Sequence, residues 1–150
     1  MKILLQRVDS ASVVIGDVIV GEIGRGLLLL VGFGKVDLSS AELERMAGKV
    51  VNLRIFHDAE GRFSHSLVEQ TSPALLIVPQ FTLYARTTKG RRPDFTSAKE
   101  PGEASRLFDQ FVDTIRRLYP QLKVASGQFG AAMKVSLVND GPVSLVLESD

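Results

Sequence analysis

The sequence predicts an α+β fold: a single domain with a mostly antiparallel or mixed β-sheet, or a barrel-like sheet, and two amphipathic helices. Its 150 residues suit one domain, and 45% of them are hydrophobic, which is enough to build a core. Segments typical of strands cluster towards both ends of the chain. Because strands and helices are segregated rather than strictly alternating, the pattern favours α+β. We expect residues 1–150 to form one domain.

Roughly seven or eight strands are predicted, from nine short apolar segments. Gly16-Asp17 separates two β-branched segments, which indicates a hairpin because glycine adopts positive φ readily. The segment 27–33 is continuously apolar, as expected of a buried central strand. The other segments typical of strands are 1–8, 13–15, 18–20, 54–56, 74–78, 124–129, 133–138 and 143–147.

Two amphipathic helices are predicted. Ser39 and Glu42 form a capping-box pattern, in which each side chain bonds the other residue's backbone N–H. Apolar residues follow at positions 43, 46, 47, 50 and 51, the spacing of one helix face. Pro101 suits the first position of the second helix, whose apolar stripe extends to Tyr119 and which Pro120 ends.

Composition limits the chemistry of the protein. The formal net charge is +1, so any nucleic-acid surface must come from local clusters of charge. Without cysteine, the chain has no disulfide, thiolate nucleophile or zinc–cysteine site. Polar residues interrupt the first ten positions and the longest apolar run spans only 27–31, so neither a signal peptide nor a membrane span is expected. We expect a cytoplasmic protein that does not bind membranes.

Histidine is the usual general base near neutral pH, and the chain has only His57 and His65. Both lie in the polar stretch around Asp58 and Gly61. Because adjacent side chains seldom face each other, we expect two surface histidines in a turn rather than a catalytic dyad. No glycine-rich phosphate loop, nucleophile elbow or metal-spaced cluster is present in the sequence. We expect neither a metal ion nor a cofactor.

The segment Pro79-Gln80-Phe81-Thr82-Leu83 is the first candidate site. Proline cannot donate to a sheet ladder, so the preceding strand is expected to break here. The N–H groups of Gln80, Phe81 and Thr82 are then free to hold an oxyanion or a carbonyl oxygen. The alternative is a bulged strand whose polar residues face water.

The segment Asn139-Asp140-Gly141-Pro142 separates two predicted strands. Asp-Gly normally forms a tight hairpin turn, but a proline pushes the residue before it towards extended conformations. We therefore expect an irregular, stiff connection. On general grounds its Gly141–Pro142 bond is expected to be trans, because only about 5–6% of X–Pro bonds are cis.

Cations are concentrated in one polar loop. Arg86, Lys89, Arg91 and Arg92 lie close together in it, and arginine forks suit phosphate groups. Such a cluster indicates either a phosphate-binding surface or a solvated loop. Arg7 is also unusual because it lies in an apolar strand. One interpretation places it on the solvent face of that strand.

Several short motifs follow one another in a specific order over essentially the whole chain. The most specific are Gln80-Phe81-Thr82-Leu83 and Asn139-Asp140-Gly141-Pro142-Val143. The others are Gln6-Arg7-Val8, Ala11-Ser12-Val13, Gly21-Glu22-Ile23, Arg54-Ile55-Phe56, Asp58-Ala59-Glu60-Gly61, Arg92-Pro93 with Phe95, and Val135-Ser136-Leu137. The set resembles the D-aminoacyl-tRNA deacylase family. The resemblance implies hydrolysis of the ester that joins a D-amino acid, or glycine mischarged on the alanine tRNA, to its tRNA.

The same resemblance implies a homodimer with active sites at the subunit interface. Gly141–Pro142 would be cis, supported by Arg7, and would reach into the partner's site. Its backbone carbonyls would screen the chirality of the amino acid, because an L side chain would collide with them and a D side chain would not. Such specificity by exclusion would make the enzyme a proofreading factor in translation.

Further site residues follow from the match to the family's motifs. Gln80, Phe81 and Thr82 would form the catalytic pocket that holds the aminoacylated 3′-terminal adenosine of tRNA. Phe129 and Met133 match the family's stretch near the adenine. The resemblance thus implies aminoacylated tRNA as the partner.

The chain departs from the family pattern at a few positions. Pro79 stands where the family usually has serine, which removes a hydroxyl and a backbone donor. Ala132 stands where it often has aspartate, and Ser144 where threonine is common. A related branch that acts on mischarged L-alanine also has Pro-Gln here, but has alanine in place of Phe81. Phe81 and the Gly141-containing motif favour the D-specific branch.

Two mechanisms stay open from the sequence. In the first, Thr82 is the nucleophile, a role that family descriptions have given it, although no histidine or lysine accompanies it in the motif. In the second, the N–H groups near Phe81 and Thr82 polarise the ester carbonyl, and the terminal ribose 2′-hydroxyl helps to activate water. A non-catalytic RNA-binding module that uses the basic loop is the competing class, and the L-alanine-specific deacylase is a third interpretation.

Overall fold

A curved mixed sheet and two helices make up the fold, which a computed structural model describes for residues 1–149. The sheet and hairpin strands are β1 Lys2–Ile15, β2 Val18–Ile23, β3 Gly26–Gly32, β4 Phe56–His57, β5 Phe63–His65, β6 Ala74–Pro79, β7 Lys123–Ser126 and β8 Lys134–Glu148. The helices are α1 Ser40–Asn52 and α2 Pro101–Leu118, with short 3₁₀ helices at Leu67–Glu69 and Phe81–Tyr84.

The long strand β1 organises the sheet. β8 pairs with it along one edge, while β3 and then β2 pair with it along the other, all antiparallel. β6 joins β3, and β7 joins β6, in parallel. The sheet curls until β2 approaches β7: a Cβ on Gly21 would lie 3.1 Å from the Ser126 carbonyl oxygen. The predicted α+β class with a mixed, barrel-like sheet and two helices is confirmed.

Each face of the sheet carries its own core. On one face, the buried stripes of α1 and α2 pack over β1, β3 and β6. On the other, inside the curl, a smaller cluster is built from Val8, Ala11, Val13, Ile23, Leu28, Ala74, Leu76 and Val78. Because strand side chains alternate between faces, one strand supplies both clusters. No helix within residues 1–149 has both the length and the apolar character to span a membrane.

The predicted helices and the first hairpin agree closely with the structure. Ser39 caps α1 with the expected reciprocal bonds to Glu42, and Pro101 begins α2. Gly16 turns the hairpin with a φ of 60°. Strand boundaries were predicted less well: 1–8 and 13–15 are one strand, 54–56 is replaced by Phe56–His57, and 124–129 ends at Ser126.

The largest error concerns the end of the chain. Residues 133–138 and 143–147 were expected to be two strands joined by a turn, but the structure has one strand, β8. Both halves pair with β1 in the same direction. The Asp-Gly signal was misleading because the chain leaves the ladder and returns to it without reversing.

Candidate active site

Two cavities lie side by side at the end of β6. The Met133 cavity has a volume of about 430 Å³ and is lined by Gln6, Leu28, Leu30, Val78, Pro79, Gln80, Phe81, Phe129, Gly130, Ala131, Met133, Val135 and Leu137. The Phe95 cavity, of about 350 Å³, is lined by Val31, Gly32, Phe33, Gln80, Phe81, Phe95, Ala98, Lys99, Glu100, Pro101, Ala104, Phe129 and Gly130. They share Gln80, Phe81, Phe129 and Gly130. The structure thus brings five predicted site residues, at positions 79, 80, 81, 129 and 133, to one place.

The segment after β6 is only partly released from the sheet. Gln80 was expected to have a free N–H, but it donates to the Val31 carbonyl at 2.7 Å, so that expectation is wrong. Phe81 and Thr82 then open the short 3₁₀ helix, and their N–H groups have no hydrogen-bond acceptor within residues 1–149. Two adjacent donors therefore remain for a carbonyl or oxyanion.

Thr82 has a hydroxyl but no base. The hydroxyl donates to Oε1 of Gln80 at 2.6 Å, and neither cavity lining includes Thr82. The histidines are in the β4–β5 hairpin, where His57 stacks on Phe63 at 4.7 Å and His65 lies near Glu69. Both are exposed, which confirms the expected surface histidines.

Gly141 and Pro142 form an outward excursion of β8. Gln6 of β1 pairs with Ser144 and Val8 pairs with Asn139, so residues 140–143 face a single residue of β1, Arg7. This is an enlarged bulge. The Gly141–Pro142 bond is cis, as the family resemblance implied and against the general expectation of trans. Both residues are exposed.

Arg7 fixes one side of this excursion. Its side chain is only 2% exposed, so the solvent-face interpretation is wrong. Nε donates to the Asp140 carbonyl at 3.0 Å and lies 3.2 Å from the Asp140 carboxylate, while Nη1 donates to the Ile55 carbonyl at 2.6 Å. The guanidinium also lies about 6 Å from the rings of Phe56 and Phe63. A buried cation thus contacts the bulge directly.

Asn139 fixes the other side, a role that sequence reasoning missed. Its Oδ1 accepts from the Val143 N–H at 2.7 Å, and its Nδ2 donates to the Val143 carbonyl and to Oγ of Ser144, both at 3.2 Å. The one available signal was the tendency of asparagine to bond nearby backbone. Gly141 is required between the two anchors, because its φ is +143° and a Cβ there would lie 2.7 Å from Cγ2 of Val143.

The predicted residues do not all come together within one chain. The lining of the Met133 cavity includes neither Gly141 nor Pro142, nor Arg7. The basic residues Arg86, Lys89, Arg91 and Arg92 are exposed and have no ion-pair partner within residues 1–149. Their loop is closed by backbone bonds between Arg86 and Asp94, at 2.8 and 2.9 Å.

Comparisons with known proteins give a consistent family. The family model described as D-Tyr-tRNA(Tyr) deacylase matches residues 4–148. A D-aminoacyl-tRNA deacylase of Roseiflexus sp. is 52% identical over 149 residues, covering 99% of this chain and 94% of that protein. One from Teredinibacter turnerae is 48% identical and is covered completely.

Two solved structures have the same fold. One, named c-Myc DNA Unwinding Element Binding Protein, has 38% identity and a TM-score of 0.89, over 100% of this chain and 99% of that one. The other is described as a probable eukaryotic D-amino acid tRNA deacylase and has 20% identity and a TM-score of 0.87, over 97% of each chain. The full-length match to the family model and to close relatives decides the assignment: the chain belongs to the D-aminoacyl-tRNA deacylases, a family of aminoacyl-tRNA ester hydrolases.

Proposed function

We propose that the protein proofreads aminoacyl-tRNA by hydrolysing the ester of D-amino acids, and of glycine mischarged on the alanine tRNA, while excluding L-amino acids. The observation that carries this proposal is the exposed Gly141–Pro142 backbone, held between Arg7 and Asn139. A wall of main chain reads only the configuration at Cα, so its specificity is indifferent to the side chain. Since aminoacyl-tRNA is consumed in translation, the proposed location is the cytoplasm.

The proposed site needs two subunits. The lining of the chain's own Met133 cavity includes neither Gly141 nor Pro142, and β8 has no strand partner on its outer edge within residues 1–149. This edge strand exposes 55% of Val138 and 66% of Val146. An exposed apolar edge strand is a template for pairing with another chain, and a large exposed apolar patch marks an interaction site. In a homodimer the Gly141–Pro142 wall of one subunit would close the Met133 cavity of the other.

The proposed mechanism uses main chain and RNA. The terminal adenosine occupies the Met133 cavity between Phe129 and Met133, and the ester carbonyl accepts from the N–H groups of Phe81 and Thr82. A water activated by the ribose 2′-hydroxyl attacks the carbonyl carbon, and the ester C–O bond to the 3′-oxygen breaks. The proton lost by water is passed to that oxygen. Donors aimed at the developing oxyanion typically contribute about 10²–10³ in rate.

The discriminating experiment compares the deacylation rates of D-Tyr-tRNA, L-Tyr-tRNA, Gly-tRNA and L-Ala-tRNA. We expect loss of the D-tyrosyl and glycyl esters and persistence of the L-tyrosyl ester. Binding of tRNA without any ester loss would instead identify a non-catalytic RNA-binding module. Preferential loss of the L-alanyl ester would assign the protein to the L-alanine-specific branch.

Replacement of Thr82 by valine decides between the two mechanisms. Valine keeps the backbone N–H and the side-chain shape but removes the hydroxyl that donates to Gln80. We expect kcat for D-Tyr-tRNA to fall by less than about tenfold, a change of under about 1.4 kcal/mol in activation free energy. Thr88→Val, in the exposed loop, is the matched control. Near-complete loss of turnover with unchanged tRNA binding would make Thr82 the nucleophile.

A further inference from the structure

The Phe95 cavity is not used by the proposed reaction. It adjoins the Met133 cavity and shares Gln80, Phe81, Phe129 and Gly130 with it. A ligand that fills the Met133 cavity would therefore lie next to the Phe95 cavity, with Phe81 between the two. Its volume of about 350 Å³ is at the small end of ligand-binding pockets. It therefore suits one ring system rather than a long chain.

Two aromatic rings at this cavity are exposed. Phe81 is 54% and Phe95 is 38% exposed, and their ring centroids lie 5.1 Å apart at an interplanar angle of 69°. Packing within the chain leaves much of each ring's surface in contact with solvent, although burial of aromatic rings is strongly favourable. Exposed aromatic rings in a groove are typical platforms for unpaired nucleobases, and each stacked base contributes about 1–3 kcal/mol.

The charges beside these rings fit a polyanion. Phe95 directly follows Asp94, whose backbone bonds to Arg86 close the loop that carries the four cations without an ion-pair partner in residues 1–149. The carboxylate of Asp94 is engaged by the N–H and hydroxyl of Thr96. That carboxylate keeps its negative charge, but the loop sets four cations against it and so carries a surplus of positive charge next to the aromatic pair.

The remaining charged groups of the cavity do not reverse this balance. The Lys99 ammonium lies 2.9 Å from the Asp37 carboxylate and 3.3 Å from that of Glu103. Glu100 contributes the one carboxylate of the lining itself. These three carboxylates and Asp94 carry four negative charges, against five positive charges on Arg86, Lys89, Arg91, Arg92 and Lys99, so the net local charge is +1.

We propose that the Phe95 cavity binds the unpaired nucleotide immediately 5′ of the terminal adenosine, with its base stacked on Phe95. The loop cations contact the phosphates on either side of this nucleotide. The inference rests on the proposed function, since it takes the terminal adenosine to occupy the Met133 cavity. Because tRNA ends in C-C-A, the base is a pyrimidine, which matches a cavity for one small ring.

The test measures binding of two unacylated probes, the trinucleotide C-C-A and adenosine monophosphate. Truncation of Phe95 to alanine is expected to weaken C-C-A binding about tenfold, the loss of one stacked base, and to leave binding of the monophosphate unchanged. Phe95→Tyr retains the ring and should retain the affinity. Leu118→Ala is the control, because Leu118 has the same 38% exposure and lies outside both cavities.

Three results would overturn the inference. The first is unchanged C-C-A affinity in Phe95→Ala, and the second is an equal loss of affinity for both probes, which would indicate a disturbed Met133 cavity. Failure of C-C-A to bind more tightly than the monophosphate in the unaltered protein would also exclude it. Neither probe carries an aminoacyl ester, so a failure of this binding experiment is distinguishable from a failure of the deacylation assay.

Discussion

The two irregular backbone segments of this protein differ in how they are held. Residues 80–84 are attached by the Gln80 N–H, while the N–H groups of Phe81 and Thr82 remain unpaired within residues 1–149. Residues 140–143 are fixed from both sides, by the buried guanidinium of Arg7 and by the Asn139 amide. The segment 80–84 therefore has two N–H donors available, whereas the polar groups that flank residues 140–143 are already hydrogen-bonded.

The difference follows from what each segment is proposed to do. A group that stabilises an oxyanion must have a free donor at the moment of reaction. A wall that excludes one enantiomer needs no free donor but must not yield, because a small displacement would admit the wrong substrate. Loss of an anchor should therefore harm selectivity, whereas loss of a donor should harm rate.

Replacement of Arg7 by leucine should give the largest effect on the wall. It leaves the Asp140 carboxylate and the carbonyls of Asp140 and Ile55 without their cation, and we expect about 3 kcal/mol of lost unfolding free energy. Hydrolysis of L-Tyr-tRNA should rise relative to D-Tyr-tRNA. Urea unfolding and paired deacylation assays measure the two effects.

A surface arginine provides the comparison for this variant. Arg117 is 60% exposed and lies 2.6 Å from Glu44, so Arg117→Leu should cost under about 1 kcal/mol. Equal costs for the two variants would show that burial of Arg7 is energetically unimportant. Undiminished discrimination in a folded Arg7→Leu protein would contradict its role as an anchor.

Arg7 also illustrates what the sequence could and could not predict. Its position in an apolar strand suggested a solvent-facing side chain, whereas the supporting role was implied by the resemblance to the family, and strand periodicity alone could not choose between them. The choice depended on the bulge of β8, which places four residues opposite Arg7. Helices and the first hairpin were predictable because capping residues and Gly16 act locally.

The bulge was wrongly predicted to be a hairpin turn. The residues that indicate a turn act locally, whereas a bulge is defined by pairing with a strand that is distant in sequence. Asp140-Gly141 resembles a hairpin turn, and only pairing of both halves of β8 with β1 shows that the chain does not reverse. The free N–H of Gln80 was wrongly expected for a similar reason, since its acceptor, Val31, is on a distant strand. The sequence motifs were enough to indicate the family. The geometry of these two segments, in contrast, is determined by pairing between strands that are distant in sequence.

Replacement of Asn139 by alanine should give a smaller effect of the same kind. It removes the acceptor of the buried Val143 N–H, which we expect to cost about 1–2 kcal/mol in unfolding free energy. Relative turnover of L-Tyr-tRNA should rise, but less than in Arg7→Leu. Asn52→Ala is the control, because that exposed amide only donates to Gly48 and, at 3.5 Å, to Tyr119. A rise in L-ester turnover in the control would point to general destabilisation instead.

Replacement of Asp58 should give the smallest effect, with a pH dependence that appears only under acidic conditions. Its carboxylate accepts from the Arg62 N–H, the Ser64 hydroxyl and the Glu60 N–H, which lowers its pKa from 3.8 to about 2. A lowered pKa stabilises the fold above the unfolded value and loses this contribution as pH falls through the folded value. The β4–β5 hairpin beneath Arg7 should therefore weaken between about pH 4 and pH 2.

The measurement is the difference in unfolding free energy between the unaltered protein and Asp58→Asn, followed against pH. The difference should be constant above about pH 5 and should vanish towards pH 2, because asparagine does not titrate there. A difference that is independent of pH would show that the hydrogen bonds, not the charge, stabilise the turn. L-ester turnover at neutral pH should remain low in Asp58→Asn if Arg7 and Asn139 suffice to hold the wall. A rise in L-ester turnover would show that the β4–β5 hairpin also helps to hold the Gly141–Pro142 wall.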